Sequence, residues 1–350
     1  MRKNSSLSAK NVTMQDIADA SGFTKATVSM VLSSDKRITE ATKQRVLKVV
    51  RELGYVPNEA ARRLSRGKSD AIAFVAVRFA APFIASVMDG MEQRAYSRSR
   101  YLRGFQPYST FNQASARDEI LRDILLGRKA EAVVTLSLQP SDAICEEYRK
   151  KGVPLVLIET DHPLCHSIRV DNASGAYRAT QYLIKKGRKR IVFINGVTNA
   201  ASGEETNAPA VERLQGHKAA LKDHGIPWDD SRLLKIKTYE AEEGALAFEQ
   251  LQRKKVKFDA VFCAAGDVVA MGVMEAARFF KMRIPRDFSL VGFDDVPAAA
   301  LLRPALSTVH QEFKELGSMA FDIAVEAIEG RLLELRKVLI DPELVIRESA

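Results

Sequence analysis

"VTMQDIADASGFTKATVSMVL", Val12 to Leu32, reads as two very short helices broken at Ser21-Gly22-Phe23. Thr13 followed three residues later by Asp16 is a capping pattern, and Asp16 also faces the positive end of the helix dipole. Met14, Ile17 and Ala18 then share one face. Gly22 supplies the turn, Thr24 caps a second helix, and Val28, Val31 and Leu32 point one way. Helices this short do not stand alone in water. A third supports them: Thr39 caps it, Val46, Val49, Val50 and Leu53 recur at helical spacing, and Gly54 closes it. The pattern predicts an all-α helix-turn-helix head over residues 12–56.

Charge separates this head from the rest of the chain. Residues 1–68 hold 14 Lys and Arg against 6 Asp and Glu, so +8 of the net +9 sits in the first fifth of the sequence. A basic unit with helical periodicity on a near-neutral body is the footprint of a nucleic-acid-binding module. The second helix of such a motif enters the major groove, N-terminal residues first. Lys25 can donate to guanine O6 and N7, while Ala26 and Met30 offer apolar contact, for example with a thymine methyl. Thr24, Thr27, Ser29 and Ser33 carry hydroxyls suited to phosphate oxygens. In "GYVPNEAARRLSRGKSD", Gly54 to Asp70, Pro57 breaks the preceding helix and Asn58 caps a segment reaching Leu64. That segment has too little to bury alone, so residues 57–70 read as a hinge helix and linker that order on meeting a partner.

From Ala71 onward short apolar runs alternate with amphipathic stretches. Strands are expected over Ala71–Val77, Ala132–Leu138, Pro154–Ile158, Arg190–Ile194, Ala260–Ala264 and Leu290–Phe293, with helices such as Phe83–Arg98, Asp142–Lys151, Ala173–Lys186, Val211–Asp223 and Val268–Lys281 between them. This alternation predicts an α/β body with parallel sheets covered by helices on both faces. Ligands of such sheets bind beyond the carboxyl ends of the strands, in a cleft.

Several function classes are set aside on the same residues. No apolar run reaches membrane-spanning length, and no apolar stretch follows Met1-Arg2-Lys3, so neither a membrane partner nor a secretory signal is expected. Cys145, Cys165 and Cys263 are scattered and odd in number, which suits reduced thiols and a cytoplasmic location. "RGKS" at Arg66–Ser69 lacks the glycine and the strand that a phosphate loop needs. "HPLCH" gathers His162, Cys165 and His166, but shows no fourth ligand and reads as an ordinary loop, so no metal is expected. Trp228 reads as loop packing. Without a nucleophile elbow, a zinc-protease helix or a dinucleotide loop, and with only five histidines, catalytic residues and cofactors are expected to be absent.

The head and hinge, "VTMQDIADASGFTKATVSMVL" and "GYVPNEAARRL", resemble those of the lactose-repressor/galactose-repressor (LacI/GalR) family of transcriptional regulators. "IRVDNASGAYRATQYLIKKGRKRIVFI", "ERLQGHKAAL", "AVFCAAGDVVAMGVMEAA" and "FSLVGFDDVP" resemble its effector-binding body, which shares the periplasmic-binding-protein fold. The resemblance runs from Val12 to about Ser349. It implies an effector and dimerisation domain over 71–346, built as two α/β lobes, roughly 71–170 plus 299–328 and 171–298 plus 329–346. It also implies that Asn58, Ala61 and Leu64 of the hinge meet the minor groove, with Leu64 wedged between base pairs. By the same resemblance Arg213 anchors the effector, Asp294 accepts from its hydroxyls or amines, and Phe83, Ile84 and Tyr239 wall the pocket, with Glu159 as a further polar candidate. The chain departs from the family at Met30, where Arg or His is frequent, and at Gly266, where Asn is common. The polar stretch "TNAASGEETNAPAVER" is longer than a minimal loop before such a helix.

The resulting expectation is a homodimeric repressor of double-stranded operator DNA with a pseudo-palindromic site, controlled by a small-molecule effector, a carbohydrate or related metabolite. With no leucine heptads after "LIDPELVIRESA", a dimer rather than a tetramer is expected. The alternatives are a ligand-binding enzyme carrying a helix-turn-helix appendage and an architectural DNA binder without sequence preference.

Overall fold

The computed structural model describes residues 12–32, 35, 37–55, 69–77, 79–97, 105–110, 114–196 and 207–350, which fall in two compact units, one within 1–68 and one within 69–350. In the first, α1 (Met14–Ser21), α2 (Lys25–Leu32) and α3 (Glu40–Glu52) follow in order. The capping box of α1 is closed in both directions: Asp16 N–H donates to Thr13 Oγ1 at 3.3 Å, and Thr13 N–H to Asp16 Oδ2 at 2.7 Å. Gly22 takes φ 72°, the left-handed conformation that lets α1 stop and α2 leave at an angle. Ile17, Ala18, Val28, Val31 and Val46 form the shared core, as their spacing requires. One position differs from the sequence reading. Leu53 caps α3 and is 40% exposed, while Tyr55 is buried instead. The reason is local: Gly54, at φ 63°, turns the chain back, so the residue after it meets the core.

The second unit opens with β1 (Ile72–Ala76), α4 (Pro82–Ser97), β2 (Phe105–Ser109), α5 (Ala114–Leu126), β3 (Ala132–Leu136), α6 (Asp142–Lys151), β4 (Leu155–Ile158) and β5 (His166–Val170). Next come α7 (Asn172–Lys185), β6 (Ile191–Asn195), α8 (Ala208–Asp223), β7 (Leu233–Lys235), α9 (Ala241–Arg253), β8 (Ala260–Cys263), α10 (Asp267–Phe279), β9 (Ser289–Asp294) and β10 (Ser307–His310). The chain closes with α11 (Phe313–Ile328), β11 (Lys337–Ile340) and β12 (Glu343–Val345). Two six-stranded sheets result, ordered β11-β5-β4-β3-β1-β2 and β12-β10-β9-β8-β6-β7. All pairings are parallel except β10 with β12. Each sheet is the centre of one lobe, with helices against both of its faces.

The lobes are assembled differently from the expected 71–170 plus 299–328 and 171–298 plus 329–346. β10 pairs with β9, so residues 307–310 belong to the second lobe, and the chain re-enters the first only through Gln311-Glu312. β11 pairs with β5, so residues 337–340 belong to the first lobe, and only β12 returns to the second. Three short crossings therefore join the lobes, at Asp171, Gln311-Glu312 and Asp341-Pro342. Two are tied together, because Asp171 N–H donates to Ile340 O at 2.8 Å and Arg178 pairs with Asp341. In the first lobe α11 lies directly on α4. A Cβ at Gly317 would stand 2.0 Å from Val87 O, and one at Gly90 1.9 Å from Lys314 O, so glycine at both places lets the backbones touch.

Candidate functional site

The head presents α2 to solvent along one edge. Lys25, Ala26 and Ser29 are exposed and Met30 is half-buried, while Val28 and Val31 hold the opposite face in the core. Thr24 Oγ1 accepts from Thr27 N–H at 3.2 Å and meets Thr27 Oγ1 at 3.0 Å, so the Thr24 hydroxyl caps the helix start. Arg45 of α3 lies over the Phe23 ring, 5.4 Å from its centroid, which fixes the turn between the two short helices. Ser33, Asn58, Ala61 and Leu64 lie outside the described residues, as does residues 197–206 of the polar stretch before α8.

In the body four of the predicted effector residues, Arg213, Asp294, Glu159 and Tyr239, come together from both lobes. Arg213, near the start of α8, is buried and held on three sides: Nε donates to Asn172 Oδ1 at 2.7 Å, Nη1 donates to Ala264 O at 2.8 Å, and its guanidinium lies 3.7 Å from the Phe293 ring centroid. Two of its five N–H donors are thereby committed, and the second Nη1–H and both Nη2–H remain. Asp294 stands at the carboxyl end of β9. Burial pushes its carboxyl up to about 7, against the pull of Arg213; Glu159 raises it further, and Gln311 Nε2, donating to Asp294 Oδ1 at 2.8 Å, opposes that rise. Glu159 extends from the end of β4 in the other lobe, buried, with Ser137 Oγ–H donating to it. Carboxyl groups from the two lobes, Asp294 and Glu159, thus share the neighbourhood of one guanidinium.

The backbone around this cluster is under constraint. Ser137, Glu159, Asp294 and Asp295 take φ values of 54°, 68°, 108° and 55°, all at the carboxyl ends of β3, β4 and β9. Non-glycine residues held there cost about 1–3 kcal/mol each and gather at ligand sites. Gly266 takes φ 116°, and a Cβ on it would come 2.7 Å from Asp294 Oδ2. Asparagine at this position would crowd that carboxylate, which accounts physically for the glycine.

The three residues expected to wall the pocket are placed differently. Tyr239 is 42% exposed, yet its hydroxyl is turned inward against Gly196, accepts from Asn207 Nδ2, and is raised by burial. Phe83 is half-buried and packs its ring 5.3 Å from that of Phe313, at the start of α11. Ile84, expected beside it as a wall, is buried in the first-lobe core with Val87, Met91 and Phe313. The helical turn of about 100° per residue separates the two, and Ile84 supports Phe83 from behind.

Three residues of the cluster were not singled out in the sequence. Asn172 orients Arg213. Gln311, on a lobe crossing, holds Asp294. Asp267, in the first turn of α10, accepts from Thr308 Oγ1–H at 2.6 Å and Val296 N–H at 2.9 Å, tying together the ends of β9 and β10. Burial and the neighbouring Asp294 push its carboxyl well above the ordinary range. Each is an ordinary polar residue at an element boundary, and only the tertiary fold gives it a partner. Among the described residues no helix is long and apolar enough to cross a membrane.

Comparison with known proteins agrees with both parts of this geometry. Residues 13–58 match the family described as bacterial regulatory proteins, lacI family, and residues 180–350 match the periplasmic binding protein-like domain. The transcriptional regulator CelR of Thermobifida fusca is 30% identical over 346 residues, covering 96% of this chain and 98% of that protein. The structure of a CelR–cellobiose complex superposes with a TM-score of 0.70 at 27% identity, over 97% of this chain and 100% of the other. The lac repressor dimer bound to operator and an anti-inducer superposes with a TM-score of 0.82 at 21% identity, over 97% and 99% of the two chains. The chain belongs to the lacI family of bacterial regulatory proteins and is a DNA-binding transcriptional regulator of the helix-turn-helix type.

Proposed function

We propose that this regulator is a repressor that binds a pseudo-palindromic operator as a homodimer and is switched by a neutral polyhydroxylated ligand of the sugar class. The observation that carries the ligand class is the Arg213–Asp294–Glu159 cluster. One guanidinium with two of its donors already committed faces carboxyl groups from both lobes, and that balance opposes a ligand phosphate or carboxylate. Hydroxyls are matched to it, because they donate to the carboxylates and accept from Arg213 Nη2, with Phe83 and Tyr239 offering apolar ring surface. CelR, a relative solved with cellobiose, is consistent with this class. The ligand alters DNA affinity only to the extent that it prefers one arrangement of the lobes. The three short crossings are the hinges about which those arrangements would differ.

On the DNA side, exposed Lys25, Ala26 and Ser29 on α2 support direct reading of base edges, while hinge residues Asn58, Ala61 and Leu64 are assigned by family resemblance. The full-length protein should select an inverted repeat from random DNA at two salt concentrations, and the selected site should then report on a panel of neutral sugars and sugar phosphates. Enrichment that vanishes at the higher salt would leave only backbone attraction and overturn sequence-specific repression. A response to sugar phosphates alone would overturn the neutral-ligand assignment. Turnover of a bound sugar by the purified protein would instead favour the enzyme reading.

A further inference from the structure

Away from the ligand cleft, the first lobe brings together three soft donors that lie apart in sequence. Cys145 is in the first half of α6, and His162 and Cys165 are in the loop between β4 and β5. All three are buried, and their ligating atoms lie within 4.8 Å of one another. The sequence grouping was different: His166 belongs to β5, where its Nδ1 accepts from Arg336 N–H at 3.0 Å, and Cys145 takes its place in the cluster.

The orientation of His162 is the second observation. Its Nε2 lies 3.1 Å from Asp142 Oδ1, so the carboxylate fixes the tautomer in which Nε2 carries the proton and Nδ1 keeps its lone pair. Nδ1 faces the thiols, 3.9 Å from Cys165 Sγ, and accepts from Leu164 N–H at 3.1 Å. A carboxylate behind an imidazole is the arrangement that orients metal-ligating histidines. Metal–sulfur and metal–nitrogen bonds of about 2.3 and 2.0 Å put the two ligand atoms about 3.5–3.7 Å apart, close to the spacing already present.

We propose that Cys145, His162 and Cys165 form a three-coordinate site for Cu+. Thiolates and imidazole select soft d10 cations. Among the described residues no fourth Cys, His, Asp or Glu joins the set at this spacing, and Zn2+ in a structural site takes four ligands. On binding, each thiol releases its proton to solvent, Nδ1 exchanges the Leu164 N–H for the metal, and no electron is transferred. The site then holds one excess negative charge, and the Lys337 ammonium, which donates to His162 O at 2.6 Å, lies beside it. The inference does not depend on the sugar reading, since none of these groups belongs to the cleft cluster.

The experiment uses the full-length protein, reduced and metal-free, titrated anaerobically with Cu+ against a chromophoric Cu+ chelator, with a parallel Zn2+ titration. One equivalent of Cu+ is expected, with X-ray absorption of the loaded wild type showing two sulfur ligands and one nitrogen. Cys145→Ala and Cys165→Ala should each lose at least a hundredfold in affinity, whereas Cys263→Ala should keep it. Asp142 is fully accessible at its side chain, so Asp142→Ala leaves the fold intact and should weaken binding by about tenfold or more. Binding no tighter than in Cys145→Ala, an oxygen and nitrogen shell around the metal, or a site that takes Zn2+ and leaves Cu+ with the chelator would each overturn the proposal.

Discussion

The head and the body solve opposite problems with their functional residues. In the head, Ile17, Val28, Val31, Val46 and Tyr55 occupy the small core, and Lys25, Ala26 and Ser29, the residues proposed to meet DNA, stand on the surface. In the body, Arg213 and Glu159 are themselves buried, and Asp294 is held where burial shifts its titration. A surface built to meet a polyanion can be exposed and ordinary, because its partner supplies the charge. A cleft that recognises a neutral ligand, as proposed for this one, has to supply its own charges and orient them with a network. Substitutions should therefore be local and mild in the head, and coupled and severe in the body.

The strongest challenge to this contrast is the contact between α4 and α11. Gly317→Ala places a Cβ 2.0 Å from the Val87 carbonyl oxygen, and backbone atoms on both sides have little room to yield. A loss of about 3 kcal/mol in the body is expected, near the upper end of the range for overpacking. The denaturation midpoint measured by circular dichroism should fall by several degrees, while Gly54→Ala, with open space around its Cβ, should cost only the strain of its positive φ. Equal losses at the two glycines would remove the distinction between a packed body and a forgiving head.

Arg213→Ala comes next. It removes the guanidinium from Phe293, leaves Asn172 Oδ1 and Ala264 O without their donor, and exposes Asp294 to unopposed carboxyl neighbours. Ligand affinity measured by calorimetry should fall about a hundredfold, near 2.7 kcal/mol, as expected for loss of charged hydrogen bonds in a buried site. Operator affinity without ligand should change little. Ligand affinity within a few-fold of the wild type would move the pocket away from this cluster.

Lys25→Ala tests the exposed side of the comparison. Discrimination at one base position in each half-site should relax by about 1–3 kcal/mol if the lysine reads a guanine edge. Thermal stability should be unchanged, since Lys25 is exposed. Binding measured on a set of single-base variants of the selected site distinguishes this from a phosphate contact, which would weaken all of them alike.

The same contrast explains what could be read from the sequence. The head was legible because capping, turn and core signals are all local: Thr13 with Asp16, Gly22, and apolar residues at helical spacing. In the body, β1, β3, β4, β6, β8 and β9 announce themselves as apolar runs because they are buried in the middle of the sheets or beside other strands. The strand His166–Val170 and the strand Ser307–His310 are buried too, but they contain polar side chains whose partners are distant. His166 Nδ1 accepts from Arg336 N–H, and Ser307 Oγ accepts from Arg347 N–H, contacts that no local pattern reveals. Lys337–Ile340 and Glu343–Val345 are edge strands with alternating or partial exposure, and the lobe boundaries shift because Lys337–Ile340 joins the first lobe and Ser307–His310 the second. Family resemblance located Arg213 and Asp294, yet the residues that hold them, Asn172, Gln311 and Asp267, depend on tertiary neighbours.

The smallest effect, a change over a single pH unit, separates the two regions most cleanly. A ligand hydroxyl donates best to ionised Asp294, but with no ligand bound the carboxyl is pushed up to about 7 by burial. Below that value the ligand must displace a proton, so its affinity should fall by up to about tenfold for each unit of pH and level off above it. Stability of the ligand-free body should move the other way. The unfolded chain releases this proton near the ordinary value of 3.8, so as pH rises from about 4 towards 7 the unfolded state binds fewer protons than the folded one. The Asp294 contribution to stability is thus complete at low pH, declines through that window and is gone above about 7. Asp294→Asn should flatten both dependences, whereas DNA binding by the head in the absence of ligand, measured over the same pH range, should be unchanged by that substitution. A ligand affinity that is flat from pH 6 to 8 would mean that Asp294 does not accept from the ligand, and Glu159 would then be the carboxyl to test in its place.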